Sequence, residues 1–146
     1  MEIANNMKVF RGIPGNVEFQ TALTIGNFDG IHIGHQAMIE RVCSKAKELG
    51  LASAVMLFEP QPREFFQSST APPRLTSLRE KLEIIRNTGV ELLYIVKFNQ
   101  EFSNIPANEF IENILLKKLR VRWLLIGDDF RFGANREGGF PILKKF

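Results

Sequence analysis

The chain has 146 residues, a formal net charge of +3 and a single cysteine, which suits one domain with a buried core, or part of a larger one, and excludes an internal disulfide. No apolar run reaches the length of a membrane span, and the N-terminus lacks the basic start and continuous apolar stretch of a signal peptide, so a cytoplasmic protein with no membrane partner is expected. The basic residues are scattered, densest at Lys117–Lys118 and Lys144–Lys145, which is not the footprint of a nucleic-acid binder.

Met7 to Phe10 is expected as a short leading strand, followed by a turn at Gly12, Pro14 and Gly15. Val17 to Ile25 then carries the chain into the first core strand. Gly26 and Gly30 break that run. From Gly34 to Leu49 apolar residues recur at helical spacing, with Ala37, Met38, Val42, Ala46 and Leu49 on or near one face and Gly50 at the stop. Cys43 falls on this helix and is expected to pack as a small apolar residue.

Leu51 to Phe58 is apolar nearly throughout, the pattern of a parallel strand covered on both faces. It ends in Phe58-Glu59-Pro60-Gln61-Pro62, where two prolines stop a ladder, and a long polar loop runs on to Pro72 and Pro73. Ser77 with Glu80 fits a capping box ahead of a helix whose apolar face holds Leu78, Leu82, Ile84 and Ile85 and which ends before Gly89. Leu92 to Phe98 is the third core strand. Pro106 suits a first helical turn, and Phe110, Ile111, Ile114, Leu115 and Leu119 carry the apolar pattern to the basic end at Lys117 and Lys118. Trp123 to Ile126 is the fourth core strand. Strands alternating with helices predict an α/β fold, a doubly wound, mostly parallel sheet with right-handed crossovers, which binds ligands beyond the carboxyl ends of its strands.

Three segments follow strands and carry chemistry. Between the first core strand and its helix, glycines let backbone pass close to a ligand, and the helix start offers unpaired N–H groups and a positive dipole end. His32 and His35, the only histidines, are spaced to aim both rings at one point and to hydrogen-bond phosphate oxygens. Gly127 to Gly138, after the last strand, joins Asp128, Asp129, Phe130, Phe132, Arg131 and Arg136 on one loop. Its aromatics offer a stacking face and its arginines pair with phosphate; Asp128 or Asp129 suits either a polar ring edge or a metal ion.

Gly26-Asn27-Phe28-Asp29-Gly30-Ile31-His32-Ile33-Gly34-His35 resembles the nucleotide-binding signature of the nucleotidylyltransferase superfamily, whose members join a nucleoside triphosphate to a phosphorylated substrate and release pyrophosphate. Together with Phe58 to Pro62 and Gly127 to Gly138, essentially the whole chain resembles the FMN adenylyltransferase module of bacterial bifunctional riboflavin kinase/FAD synthetases. The resemblance implies a Rossmann-like fold and the reaction of FMN with ATP to give FAD and pyrophosphate, by direct in-line attack. It places Gly26, Asn27, Phe28, Asp29, Gly30, His32, Gly34 and His35 at ATP, with His32 and His35 catalytic. It places Phe58, Glu59, Pro60, Pro62, Asp129, Phe130, Phe132 and Arg136 around the flavin and its phosphate. Mg²⁺ is expected to arrive with ATP, with no metal held by the protein itself.

Two departures from the family pattern stand out. Family members usually have Phe-Asp-Pro-His-Pro, and Gln61 replaces that histidine with a side chain that does not titrate. A later Ser/Thr-rich segment with an arginine for the ATP phosphates, and the riboflavin kinase domain, do not occur within these residues. Residues 1–146 are therefore expected to form one FMN adenylyltransferase domain, truncated at the C-terminus and turning over poorly, with no riboflavin kinase domain present. The rival expectations are a nucleotidylyltransferase for another substrate, such as pantetheine phosphate, a nicotinamide nucleotide or glycerol phosphate, and a non-catalytic flavin- or nucleotide-binding fragment.

Overall fold

The structure, a computed structural model, describes residues 7–26, 28, 33–59 and 77–126. Its elements in chain order are β1 (Lys8–Arg11), β2 (Thr21–Ile25), α1 (Ile33–Leu49), β3 (Ala52–Phe58), α2 (Leu78–Arg86), β4 (Leu92–Val96), α3 (Gln100–Ser103), α4 (Ala107–Glu109) and β5 (Val121–Leu125). Between α4 and β5, Phe110–Lys118 is π-helical.

The strands form one five-stranded sheet in the order β1-β4-β3-β2-β5, and every pairing is parallel. Side-chain alternation along the strands divides the core between the two faces. Leu92, Tyr94 and Val96 of β4 join Ala54, Met56 and Phe58 of β3 against Ala107, Phe110, Ile111, Ile114, Leu115 and Leu119. Val55, Leu57, Leu93 and Ile95 point the other way, to Ile39 of α1 and Ile85 of α2. The α/β, doubly wound reading is borne out, with a sheet that is wholly parallel among the described strands.

Local chemistry explains the helix ends. Gly50 adopts φ +70; its N–H donates to the Lys47 carbonyl at 3.4 Å and that of Leu51 to Ala46 at 2.8 Å, the paired bonds of a Schellman stop. Ser77 accepts from the Glu80 backbone while Glu80 reaches back to Ser77, so the capping box forms as expected.

Four expectations are corrected. The face that α1 buries is Ile39, Val42 and Ala46, whereas Ala37 and Leu49 are exposed; the helix axis is rotated so that Ile39, one position past Met38, meets the sheet. Lys81 lies fully buried on the α2 face expected to be apolar, one turn before Ile85. Phe110–Lys118 is π-helical rather than α-helical, with Leu119 N–H donating to Ile114 at 2.9 Å. That ladder brings residues four and five apart onto one face, which is how Phe110, Ile114, Leu115 and Leu119 are buried together. Finally, β2 begins at Thr21 rather than at Val17.

The topology places the site. From β2 the chain steps to β3 and then β4, but β5 returns to the opposite side of β2. A crevice therefore opens where the winding reverses, at the carboxyl ends of β2 and β5. Two threonines of β2 bond across this side: Thr21 Oγ1 donates to the carbonyl of Leu119, at the end of the π-helical segment, at 2.9 Å and Thr24 Oγ1 to that of Leu125 in β5 at 2.8 Å. Among the described residues no helix is long and apolar enough to cross a membrane.

Candidate active site

The turn that leaves β2 begins at Gly26, whose N–H donates to the Met56 carbonyl at 3.1 Å and so extends the β2–β3 ladder. Phe28 then takes a left-handed backbone, φ +53, which costs a bulky side chain on the order of 1–3 kcal/mol. Burial offsets that strain: Phe28 is 2% exposed and packs in the cluster of Ile39, Val55 and Leu57. A Cβ at Gly26 would lie 3.1 Å from Phe28 Cε2 and 3.2 Å from Cζ, closer than ordinary contact, so the glycine clears space for this ring. The ring in turn meets the His35 imidazole edge-on, with centroids 5.5 Å apart and planes at 74°.

His35 is the third residue of α1, half-buried, with Nδ1 shut off from solvent. The first turn of α1 carries no acidic residue, so no carboxylate of that turn offsets the positive end of the helix dipole. Of the residues expected at ATP, the structure thus places Gly26, Phe28, Gly34 and His35 at the carboxyl end of β2; Asn27, Asp29, Gly30 and His32 lie outside the described residues. The side chain of Phe28 belongs to the core.

The segment expected at the flavin begins where β3 ends. Phe58 is 3% exposed, enclosed by Phe98 at 5.6 Å and Phe102 at 5.5 Å between ring centroids. Phe98 and Phe102 lie 5.7 Å apart, and Phe102 continues the cluster to Phe110 at 5.9 Å. Phe58 is therefore the buried base of an aromatic cluster whose half-buried members, Phe98 and Phe102, are the ones with surface to offer. Neither is among the residues expected around the flavin. Phe98 had been placed at the end of a strand, and the signal for Phe102 was Asn99, which caps α3 by accepting from the Phe102 N–H at 2.8 Å.

Glu59 extends the β3–β4 ladder, its N–H donating to the Val96 carbonyl at 3.0 Å, and its Oε2 is shielded from solvent. Beside it a cavity of about 330 Å³ is lined by Arg11, Gly12, Glu59, Ile95 and Lys97, at the carboxyl ends of β1, β3 and β4. Pro60, Pro62, Asp129, Phe130, Phe132 and Arg136 lie outside the described residues. β5 pairs with β2 and ends at Leu125, and Ile126 is the last of the described residues. Among the described residues no group of three or more His, Cys, Asp or Glu could hold a metal ion. Cys43 packs half-buried against the α1 side of the core, and burial raises its thiol pKa while a hydrogen bond with Ser53 opposes that shift.

A family model described as FAD synthetase matches residues 16–146. The chain belongs to the FAD synthetase family. The matched range takes in both the histidine turn and the Gly127–Gly138 segment. Over 142 residues the chain is 46% identical to a bifunctional riboflavin kinase/FMN adenylyltransferase of Escherichia coli K12, with 95% of the chain and 45% of that protein covered. Proteins of the same description from Buchnera aphidicola of Schizaphis graminum, 40% identical over 141 residues, and Haemophilus influenzae, 44% identical over 140 residues, match at similar coverage. The chain thus spans a little under half the length of these relatives. A crystal structure described as a macrolide-efflux protein from Streptococcus pneumoniae superposes with a TM-score of 0.80 over 96% of this chain and 48% of its own; at 23% identity that likeness is one of fold.

Proposed function

We propose that this chain is an FMN adenylyltransferase module, which transfers AMP from ATP to FMN to give FAD and pyrophosphate in the cytoplasm. The carrying observation is that Gly26, at the end of β2, and His35, in the first turn of α1, flank the connection next to the switch point between β2 and β5, in a chain 46% identical to a protein described as a bifunctional riboflavin kinase/FMN adenylyltransferase.

The start of α1 binds the triphosphate through its backbone N–H groups, with His35 and His32 as side-chain donors. A phosphate oxygen of FMN attacks the α-phosphorus of ATP in line. One P–O bond forms as the bond to the pyrophosphate oxygen breaks, and the electron pair leaves on pyrophosphate. No protein nucleophile takes part, so rate enhancement rests on positioning and on neutralising the charge that develops on the two phosphate groups. Mg²⁺ carried by the triphosphate would supply further neutralisation of the same charge, with no described residue required to hold it.

FMN approaches from the other direction. Phe98 and Phe102 offer apolar rings, and Glu59 a carboxylate, at the carboxyl ends of β3 and β4. β4 is two strand spacings from β2, about 10 Å, so a flavin lodged there can direct its phosphate arm back toward the histidine turn. Asp129, Phe130, Phe132 and Arg136 complete the flavin side in this proposal, with Arg136 on the FMN phosphate.

The test is a flavin fluorescence titration followed by a pyrophosphate-release assay with ATP and Mg²⁺. FMN-dependent release with FAD formation is expected. Release with pantetheine phosphate or a nicotinamide nucleotide but not FMN would assign another transferase, and FMN binding without release in the full-length chain would make this a binding module.

A further inference from the structure

We infer that Phe28 is a positioning residue that seats the His35 imidazole, and that Gly26 is required because it makes room for the Phe28 ring. The inference rests on the proposal that His35 acts on phosphate. Phe28 falls within the histidine turn and was expected at the nucleotide, yet its ring is in the core at 2% exposure. A bulky residue holding φ +53 persists only where surrounding contacts outweigh the strain, and such outliers point to a role for the geometry they hold. Here the held geometry is specific. The ring is wedged between the Gly26 backbone, where a Cβ would come to 3.1 Å, and the edge of His35, at 74° and 5.5 Å between centroids.

Gly26 sits directly after β2 and His35 lies in the first turn of α1, with the Phe28 ring in contact with both. The wedge therefore ties the imidazole on α1 to the end of the strand, independently of any ligand. Placing a donor before the substrate arrives is what makes it effective in a charge-developing step. An added methyl at Gly26 would push on Phe28, and Phe28 would pass the displacement to His35. This differs from a glycine needed for close approach of ATP, and the two roles are separable.

In the full-length chain, Phe28→Leu is expected to lower kcat at least tenfold with KM for ATP changed less than threefold, and Phe28→Met to behave alike. Gly26→Ala is expected to lower kcat similarly, and Gly26→Ala/Phe28→Leu to be no worse than Phe28→Leu alone within twofold, because the shorter side chain no longer collides. In a His35→Ala background, Phe28→Leu should add less than a twofold loss. A Gly26→Ala loss that persists in full beside Phe28→Leu would overturn the wedge and leave Gly26 to the nucleotide, and independent losses from Phe28 and His35 would overturn the positioning role. A readout free of catalysis is the His35 ring-proton resonance in ligand-free protein. It should move in folded Phe28→Leu and Phe28→Met, and an unmoved resonance would overturn the inference. Should His35→Ala retain full turnover, His35 would have no phosphate role, and the resonance alone would still decide whether Phe28 seats the ring.

Discussion

Tyr94 is a single side chain whose contribution is calculable from its surroundings. It lies at the middle of β4, fully buried, with its ring stacked on Phe10 at 5.4 Å and 29°. Its hydroxyl has no hydrogen-bond partner among the described residues, and burial pushes its pKa up from 10.0 to about 12. An unsatisfied buried hydroxyl costs about 1–3 kcal/mol, and removing it leaves the ring contact with Phe10 in place. The vacated space is one oxygen, smaller than a methyl group, and costs up to about 1 kcal/mol. Tyr94→Phe should therefore stabilise the chain by about 1 kcal/mol, which raises Tm by roughly 3 °C for a domain of this size.

The same group predicts a pH dependence. Its folded pKa is raised, so the stability linked to the protonated form is fully present below pH 10 and is lost as pH rises toward 12. The loss reaches about 3 kcal/mol across that window, and Tyr94→Phe should abolish it. Urea unfolding at pH 7 and through the alkaline range measures both effects. Destabilisation of 1 kcal/mol or more (about one hydrogen bond) on Tyr94→Phe would show that the hydroxyl is bonded after all, and an unchanged alkaline slope would place the titration elsewhere.

The other expectations concern the site and its frame. His35→Ala should lower turnover about a hundredfold or more while FMN affinity holds, measured by pyrophosphate release and flavin fluorescence; near-normal turnover would remove His35 from the mechanism. Phe102→Ala should weaken FMN binding about tenfold, the lower range for loss of one aromatic stacking surface, with ATP affinity unchanged by calorimetry, and the reverse pattern would refute the assignment of this cluster to the flavin. Ser77→Ala should cost about 1 kcal/mol of stability in urea titration through loss of the α2 cap, whereas an effect within error would mean that packing alone defines the start of α2.

What was legible in the sequence follows the range of the forces involved. Strand and helix identities rest on local patterns, so the apolar run Leu51 to Phe58, the stop at Gly50 and the Ser77–Glu80 box all correspond to the structure. So does the placement of Gly26 and Glu59 at strand ends, because connection rules for parallel sheets are general. Pairing order is non-local: nothing in Lys8 to Arg11 announces that β1 lies beside β4 rather than β2. The α1 face was offset by one position because Ala37 and Leu49 fit a helical period as well as Ile39 does. Phe28 was assigned to the ligand because it sits inside the motif, and only the three-dimensional contacts show its ring facing inward. The burial of Lys81 and the π-helical run Phe110–Lys118 have no counterpart in the residue spacing, which fits an exposed lysine and an ordinary α-helix equally well.

Under the proposed function the residues after β2 take the nucleotide and those after β5 the flavin, so turnover would depend on the alignment of those two strand ends. Thr24 is fully buried near the end of β2, and its Oγ1 donates to the carbonyl of Leu125, the last residue of β5, at 2.8 Å. The strands shift register between Thr21 and Ala22, so the ladder near β5 is already irregular and a side-chain bond at its far end has more to hold. Thr24→Val keeps the shape and removes the donor, so the part-buried Leu125 carbonyl loses that bond, at about 1 kcal/mol. If alignment is what this bond supplies, turnover should fall several-fold more than the affinity for either substrate, since each segment still binds its own ligand but presents it off line. Unfolding titrations, separate ATP and FMN titrations and product formation give the three quantities. Equal stability with unchanged turnover would show that β2 and β5 are aligned by their backbone ladder alone, and a loss confined to ATP affinity would mean that Thr24 acts on the histidine turn without involving β5.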